Sequence, residues 1–433
     1  MLLYSTRDKQ LRVNFREALF KGLSEDGGLF MPVEIPKLSS DLFEAIHIMD
    51  LQEISLEIVD ALLSDEIDAI SRNKIVRDTL SFDIPLVNIH DNIYSLELFH
   101  GPTLAFKDVG ARFMARCMSY FNQSEKKEIH ILVATSGDTG SAVGSGFYKI
   151  PGIKVHILYP KNKVSKLQEM QLTTLGGNIN AIEVEGTFDD CQALVKAAFS
   201  DKDISQKLTL SSGNSINIAR LIPQSFYYHY AYAQLQENMP VVFSVPSGNF
   251  GNLCGGIIAK KMGLPVSKFI AATNINDIVP SYLRTGKYEP KSSRSTISNA
   301  MDVGAPSNFE RMSDIYNNSL SEFKNDISAC SFNDQQTKNI IRGVQYKYQY
   351  MLDPHGAIGY MGLMNNMDEI ENTNAIFLET AHPAKFSDVM EDTLQQNIDL
   401  PKALKKALKG NKKAMQLSNE FEELKAYLMS GGF

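Results

Sequence analysis

The stretch PVVFSVPSGNFGNLCGGIIAKKMG, residues 240–263, decides the fold class because strand, turn and helix patterns follow one another directly in it. PVVFSVP is almost wholly apolar, which is typical of a strand buried on both faces of a parallel sheet. SGNFGN supplies glycine and asparagine, which tolerate left-handed backbone. A helix is expected to begin near Asn252. A strand–turn–helix unit of this kind predicts an α/β sheet.

Similar units occur on both sides of this stretch. Apolar strand patterns followed by helical patterns are IHILVATS (129–136), KVHILYP (154–160), INAIEVEG (179–186) and NAIFLETA (374–381). Strands that alternate with helices predict open, mostly parallel sheets with flanking helices. We therefore expect two α/β regions, at residues 91–240 and 241–433, preceded by a mainly helical N-terminal region at residues 1–90.

The composition excludes several classes of protein. The 433-residue chain has a net charge of −7, which argues against a nucleic-acid partner because such binders carry a basic footprint. The four cysteines are far apart and form no CxxC pair, so we expect neither a disulfide framework nor a metal site. MLLYSTRDKQLRV lacks a signal-peptide pattern, and no apolar run approaches the roughly 20 residues that span a bilayer. We expect a soluble, cytoplasmic protein with no membrane partner.

Three loops that follow predicted strands carry polar or glycine-rich sequence. They are TSGDTG (135–140), VPSGNFGN (245–252) and LETAHPAK (378–385). Ligands of open α/β sheets bind at the carboxyl ends of strands, and glycine-rich turns before helices bind anions. A single loop of this kind can equally be a plain capped turn. The loops match neither the Walker A nor the GxGxxG pattern, so a nucleotide ligand is disfavoured.

Lys107 lies in FHGPTLAFKDVG (99–110), after an apolar run and beside Phe106. A lysine at a helix start next to an aromatic ring is partly desolvated and near a positive dipole end, which lowers its pKa. This is the condition for a lysine that forms a Schiff base. An aldehyde cofactor with a phosphate, such as pyridoxal phosphate, needs both an amine and an anion-binding turn. The dodecamer alone leaves equally open a solvated lysine with an apolar neighbour.

Motifs along the whole chain resemble the threonine synthase family, whose members are fold type II pyridoxal-phosphate enzymes with a tryptophan synthase β-like fold. The motifs are YSTR (4–7), GLSEDGGLFMP (22–32), ELFHGPTLAFKDVGARF (97–113), ATSGDTGSAV (134–143), NSINIARLIPQ (214–224), VPSGNFGN (245–252), AMDVGAPSNFERM (300–312), DPHGAIGY (353–360) and TAHPAKF (380–386). The resemblance implies that region 91–240 holds the cofactor lysine and the smaller, movable domain. It implies that region 241–433 is the larger domain, with the phosphate-binding loop and C-terminal helices.

The resemblance also implies roles for individual residues. Lys107 resembles the catalytic lysine that holds the cofactor, with Phe106 beside it, and Thr380 resembles the hydroxyl residue at the pyridine nitrogen. The loop around the cofactor phosphate corresponds to Ser247, Gly248, Asn249, Phe250, Gly251 and Asn252. The loop that holds the substrate α-carboxylate corresponds to Ser136, Gly137, Asp138 and Thr139. Our candidates for the substrate phosphate are Asn214, Ser215, Asn217 and Arg220.

The family reaction converts O-phospho-L-homoserine and water to L-threonine and phosphate, by γ-elimination followed by β-hydration. The expected protein is therefore a lyase of threonine biosynthesis, active as a monomer or a homodimer. Alternatives are a related fold type II lyase (a phospho-lyase or a serine/threonine dehydratase), a non-catalytic homologue, or a nucleotide-binding module. The narrow motifs TAHPAKF and SNFER favour threonine synthase over these.

Two positions depart from the pattern expected of this family. The segment PKNKVSKLQEM (160–170) has VSK in place of the expected VSP, and Glu379 stands where a small residue is usual. We expect both differences to affect the rim of the active site rather than the chemistry. His100, His355 and His382 lie inside the shared motifs, and we expect them to support neighbouring groups rather than to react directly.

Overall fold

The computed structural model describes residues 1–125, 127–236 and 239–431, and fourteen strands lie within these ranges. They are β1 (Leu2–Ser5), β2 (Arg12–Asn14), β3 (Phe30–Pro32), β4 (Leu86–His90), β5 (Ile93–Glu97), β6 (Ile129–Ala134), β7 (Ile153–Pro160), β8 (Ile179–Glu185), β9 (Thr209–Ser212), β10 (Val241–Pro246), β11 (Val266–Thr273), β12 (Ile327–Ser331), β13 (Asn374–Glu379) and β14 (Ala414–Ser418).

The α-helices alternate with these strands over most of the chain. They are α1 (Phe15–Lys21), α2 (Ser40–Ala45), α3 (Leu51–Leu63), α4 (Ala69–Thr79), α5 (Lys107–Glu125), α6 (Asp138–Phe147), α7 (Lys166–Thr173), α8 (Phe188–Ser200), α9 (Lys202–Lys207), α10 (Ile218–Leu221), α11 (Ser225–Ala233), α12 (Gly251–Lys261), α13 (Ile278–Thr285), α14 (Phe309–Ile315), α15 (Leu320–Asp326), α16 (Asp334–Tyr348), α17 (Pro354–Asn365), α18 (Met367–Ile370), α19 (Ser387–Leu394), α20 (Lys402–Leu408) and α21 (Phe421–Met429). Short 3₁₀ helices cover Ile46–Ile48, Ile222–Gln224, Asn299–Met301 and Pro383–Phe386.

Two compact units divide the chain. Unit 1 contains Met1, Met31–Phe106 and Leu221–Asp399, whereas unit 2 contains Leu2–Phe30, Lys107–Arg220 and the residues from Leu400 onward. The division at about residues 90 and 240 that we expect from the sequence stays a prediction. Among the described residues, no helix combines the length and the apolar character that crossing a membrane requires.

Unit 1 is built on a six-stranded sheet in the order β12-β11-β10-β13-β5-β4. Its strands run parallel, except that the edge strand β4 is antiparallel to β5. Every residue of β10 and of β13 is buried, which explains their almost continuous apolar sequence. The chain leaves β10 for β11 on one side, while β13 lies on the other side of β10. This reversal is a topological switch point, where α/β sheets bind ligands.

Unit 2 contains a five-stranded, fully parallel sheet in the order β14-β8-β7-β6-β9. The order reverses between β6 and β9, so unit 2 has a switch point of its own. Strand β6 is buried throughout, and its Leu132 and Ala134 join a core that includes Leu424 and Leu428 of α21. The observed α/β architecture confirms the fold class expected from the sequence.

Candidate active site

The turn from Ser247 to Asn252 lies at the carboxyl end of β10, on the switch point of unit 1. Asn252 fastens it, because its Nδ2 donates to the Pro246 carbonyl at 2.8 Å and its Oδ1 accepts from Ser247 Oγ at 2.7 Å. Phe250 adopts left-handed backbone with φ of 59° and gives α12 no side-chain cap. The first N–H groups of α12 therefore receive no side-chain oxygen from the cap residue, while the Leu253 N–H donates to Asn252 Oδ1 at 3.0 Å, and a helix start of this kind favours an anion.

Backbone atoms pack closely against this turn at Gly248. A Cβ at Gly248 would lie 2.6 Å from Met301 Cα, so a side chain at position 248 has no room. Asn249 Oδ1 accepts a 2.6 Å hydrogen bond from the Ser307 N–H, and its carbonyl accepts from Asn308 Nδ2 at 3.1 Å. The SNFER motif therefore holds the turn from the side of the long 286–308 loop.

Asp302 anchors that long loop. It accepts hydrogen bonds from Asn274 Nδ2 (2.9 Å), Asn276 Nδ2 (3.2 Å) and Thr296 Oγ1 (2.7 Å). Burial raises the pKa of Asp302 to about 6, and the hydrogen bonds from Thr296 and Asn274 oppose that rise. These contacts explain how a serine- and proline-rich stretch presents a fixed surface to Gly248.

The segment around Thr380 follows β13, which neighbours β10 in the same sheet. Its backbone is joined to the HGPTLAFK loop: the Phe106 N–H donates to the Thr380 carbonyl at 2.9 Å, and Ala105 and Ala381 form an isolated antiparallel bridge. Lys385 Nζ, fully buried, donates to the Thr103 carbonyl at 2.9 Å. Hydrogen bonds thus join the HGPTLAFK loop to the segment around Thr380, although the two are far apart in sequence.

Lys107 is the residue directly after Phe106 and the first residue of α5. Its side chain is partly buried, as the sequence pattern suggested. The Phe106 carbonyl accepts a hydrogen bond from the Tyr227 hydroxyl, so the backbone that leads into the lysine is held from a second side. The backbone of Phe106, the residue before the lysine, is therefore held by both Thr380 and Tyr227.

In unit 2, the loop 135–139 lies at the carboxyl end of β6. Thr135 Oγ1 accepts from the N–H groups of Gly137 (2.9 Å) and Gly140 (2.8 Å), which shapes the start of α6. Gly137 has a φ of 138°, and a Cβ there would lie 2.5 Å from Gln168 Cδ. Gln168 Nε2 donates to Asp138 Oδ1 at 2.9 Å. This buried contact, which the sequence did not reveal, fixes the loop predicted to hold a carboxylate.

Asn214 and Asn217 follow β9, which neighbours β6. Asn214 exchanges hydrogen bonds with both backbone groups of Ala134, at 3.2 and 2.8 Å. Asn217 Nδ2 donates to the Leu19 carbonyl at 2.9 Å, and Arg220 donates to the Gly213 carbonyl. The observed contacts of both amides are with backbone, apart from a 3.4 Å bond from Asn217 Nδ2 to Ser211 Oγ. Their expected role toward a substrate phosphate stays a prediction, as it does for Ser215 and Arg220.

Sequence similarity agrees with this geometry along the whole chain. The family model for pyridoxal-phosphate dependent enzymes matches residues 84–380, and models for the threonine synthase N terminus and C-terminal region match residues 3–80 and 356–428. A threonine synthase of Haemophilus influenzae is 44% identical over 433 residues, covering 99% of this chain and all of that protein.

Two solved structures are also similar to this chain over nearly its full length. A crystal structure of threonine synthase from Escherichia coli superposes with a TM-score of 0.94 at 41% identity, with both chains covered completely. A pyridoxal-phosphate-bound threonine synthase from Brucella melitensis superposes with a TM-score of 0.93 at 35% identity over 99% of each chain.

The family model and the similarity to solved structures define a pyridoxal-phosphate-dependent enzyme of the fold type II class. Within that class, the chain belongs to the threonine synthase family. Its cofactor is pyridoxal phosphate, as the sequence predicts. The residues present fit this group, because the Ser247–Asn252 turn places the start of α12 at the carboxyl end of β10 with no side-chain cap from Phe250, and helix N–H groups there suit a phosphate. The individual roles of the site residues remain predictions.

Proposed function

We propose that this enzyme converts O-phospho-L-homoserine and water to L-threonine and phosphate. The observation that carries the proposal is similarity to threonine synthases over nearly the complete chain, including N- and C-terminal family regions that extend beyond the general cofactor-binding region. The narrower motifs SNFER and TAHPAKF have structural tasks at the turn and the lysine loop, which supports the same function.

Lys107 is the proposed acid–base group. When bound, the cofactor ring takes up the electron pair that is left when the substrate loses its α-proton. Lys107 removes that proton from Cα and returns a proton at Cγ, since one flexible amine on a fixed backbone reaches several carbons in turn. The contacts of Phe106 with Thr380 and Tyr227 supply the fixed backbone.

The cofactor is oriented by two elements of unit 1. The backbone N–H groups of Ser247–Asn252 would hold its phosphate, the Thr380 hydroxyl would bond the pyridine nitrogen, and Phe106 would lie beside the ring. A hydroxyl at this nitrogen, unlike a carboxylate, does not enforce protonation of the ring. The Thr380 carbonyl accepts the Phe106 N–H, which holds the backbone that carries this hydroxyl.

The substrate is oriented by residues of unit 2. Ser136, Gly137, Asp138 and Thr139 present the N-terminus of α6 to the α-carboxylate. Arg220 and Ser215 supply charge and hydrogen bonds to the substrate phosphate, since an arginine fork suits phosphate oxygens. Asn214 and Asn217 fix the backbone that carries these groups, through their bonds to Ala134 and Leu19.

A product assay tests the proposed reaction. The purified protein, loaded with pyridoxal phosphate, is incubated with O-phospho-L-homoserine, and threonine, phosphate and 2-oxobutyrate are quantified separately. We expect threonine and phosphate in equal amounts and no turnover with Lys107→Ala. Formation of 2-oxobutyrate with phosphate but without threonine would identify a phospho-lyase instead. Analytical sedimentation of the same sample shows which of the two expected states, monomer or homodimer, the protein adopts.

A further inference from the structure

A buried pair of carboxyl groups lies at the end of β13, directly before Thr380. Glu379 Oε1 accepts a 2.6 Å hydrogen bond from the backbone N–H of Asp353. Both residues are completely buried. Glu379 Oε2 meets no hydrogen-bond donor among the described residues. A Cβ at Gly356 would lie 1.3 Å from this oxygen, so Glu379 fills the space that the glycine leaves.

Asp353 is surrounded by donors. It caps α17, because its Oδ1 accepts from the His355 N–H at 2.8 Å and its Oδ2 accepts from the Gly356 N–H at 3.3 Å. The His355 ring places Nδ1 2.5 Å from Asp353 Oδ1. On its other side, His355 Nε2 accepts a 3.3 Å hydrogen bond from the Ala300 N–H. This acceptor role assigns the ring proton to Nδ1, which donates to Asp353.

Two adjacent buried carboxylates cannot both be ionised at low cost, so one of them carries a proton. Asp353 has the helix N-terminus and the His355 ring to stabilise a negative charge. Glu379 has neither, and burial, with a further contribution from the Asp353 carboxylate, raises the pKa of Glu379 well above its usual range. When Glu379 is protonated, its Oε2 carries the proton and becomes a hydrogen-bond donor, so it is no longer an acceptor without a donor.

We propose that Glu379, as a neutral acid donating to Asp353, is a positioning residue for the cofactor-binding turn. Asp353 orients His355, and His355 holds the Ala300 N–H. The turn at Ala300 and Met301 packs against Gly248, where a Cβ would approach the Ala300 carbonyl to 3.1 Å. These contacts form a chain of hydrogen bonds, the relay, which runs from Glu379 through Asp353 and His355 to Ala300 and ends at the proposed phosphate-binding turn. The proposal therefore rests on the part of the proposed function that assigns this turn to the cofactor phosphate.

The test compares two substitutions of Glu379 by affinity for pyridoxal phosphate, measured on apoprotein without substrate. Glu379→Gln keeps an acceptor for the Asp353 N–H and a donor for its carboxylate, whereas Glu379→Met keeps the size and removes both. We expect wild-type affinity for Glu379→Gln and a dissociation constant about tenfold higher for Glu379→Met, the loss expected from unsatisfied buried groups. Glu183→Gln, in unit 2, replaces another buried carboxyl as the control.

Hydrogen exchange gives a second readout that a general loss of stability does not reproduce. In Glu379→Met and in His355→Phe, we expect faster amide exchange confined to peptides that cover residues 298–303, with no such change in Glu379→Gln. His355→Phe keeps a ring but removes the acceptor for Ala300, so it tests the relay even if Glu379→Met does not fold.

The outcomes separate this proposal from the proposed function. Failure of the wild-type protein to bind pyridoxal phosphate would count against both. Normal binding by the wild type, with unchanged affinity and exchange in Glu379→Met and His355→Phe, would overturn the relay alone. Equal weakening by Glu379→Gln and Glu379→Met would also overturn it, because the site would then require an ionised carboxylate.

Discussion

The Phe106 N–H donates a 2.9 Å hydrogen bond to the carbonyl oxygen of Thr380, so the residue before the proposed cofactor lysine is joined to the residue proposed to meet the cofactor nitrogen. The link is made by backbone alone, supported by the bridge between Ala105 and Ala381. Main-chain contacts within unit 1 therefore hold Phe106, the residue before the proposed cofactor lysine, against the segment that carries Thr380.

Replacing Gly248 by alanine should weaken cofactor binding. The new methyl group would lie 2.6 Å from Met301 Cα, and backbone atoms cannot move aside as easily as a side-chain tip. Overpacking of this kind costs about 1–3 kcal/mol, which corresponds to roughly fivefold to 150-fold in the dissociation constant. Equilibrium titration of apoprotein with pyridoxal phosphate measures it. Gly343→Ala is the matched control, because nothing lies within 4 Å of that Cβ in α16.

Replacing Gly137 by alanine should affect the substrate and spare the cofactor. The backbone there has a φ of 138°, and the added Cβ would displace Gln168 from its 2.9 Å bond to Asp138. We expect a KM for O-phospho-L-homoserine raised about tenfold, with an unchanged dissociation constant for pyridoxal phosphate. Steady-state kinetics and cofactor titration on one preparation measure both. A loss of cofactor affinity equal to the change in KM would contradict the assignment of this loop to the substrate.

The Glu379 proton should make stability fall as the pH rises. Above the ordinary carboxyl pKa of 4.5, the unfolded chain releases this proton while the folded protein keeps it, because the folded pKa is raised. Wild type then loses about 1.4 kcal/mol per pH unit relative to Glu379→Gln, until the folded pKa is reached. Urea unfolding of both proteins at several pH values measures the difference. Glu97, Tyr350, Asp353 and His355 also face this region and are common to both proteins, so parallel curves would contradict a protonated Glu379.

His229 should have the opposite effect on the acid side. Burial lowers the pKa of His229 to about 4, although its bond to the Ser225 carbonyl opposes this. Below the ordinary value of 6.5, the unfolded chain binds a proton that the folded protein does not. Stability should therefore fall by about 1.4 kcal/mol per pH unit between pH 6.5 and pH 4. His229→Phe should lose this dependence in urea unfolding, and His47→Phe, which replaces an exposed ring, serves as the control.

Local patterns predicted the α/β fold because its buried strands are apolar throughout. β6, β10 and β13 have no exposed residue, so their sequences identify them without knowledge of their neighbours. The edge strand β14 was not predicted, since AMQLS is only partly buried and pairs with β8 from far along the chain. Its formation depends on a parallel partner that no short window of sequence contains.

The candidate site likewise has parts that the sequence predicted and parts that it did not. The turn at Ser247–Asn252 was predicted because glycine and asparagine after a strand indicate an anion-binding turn. The lysine after Phe106 was predicted because a lysine beside an aromatic ring at a helix start is typical of one that forms a Schiff base. The partners of Glu379 were not, since Asp353 and His355 lie on another element and meet it only in the folded chain. The sequence marked Glu379 as unusual, and the structure supplies its contacts.

The most direct measurement locates the lysine that binds the cofactor. Reduction of the holoenzyme with borohydride makes the bond between lysine and cofactor permanent, and a modified lysine resists trypsin. We predict the cofactor mass on the single peptide Asp78–Arg112, with cleavage missed at Lys107, and no label in Lys107→Ala. Lys202→Ala, which changes an exposed lysine at the start of α9, should keep the label. Cofactor mass on any other lysine, or an undiminished label in Lys107→Ala, would contradict the account.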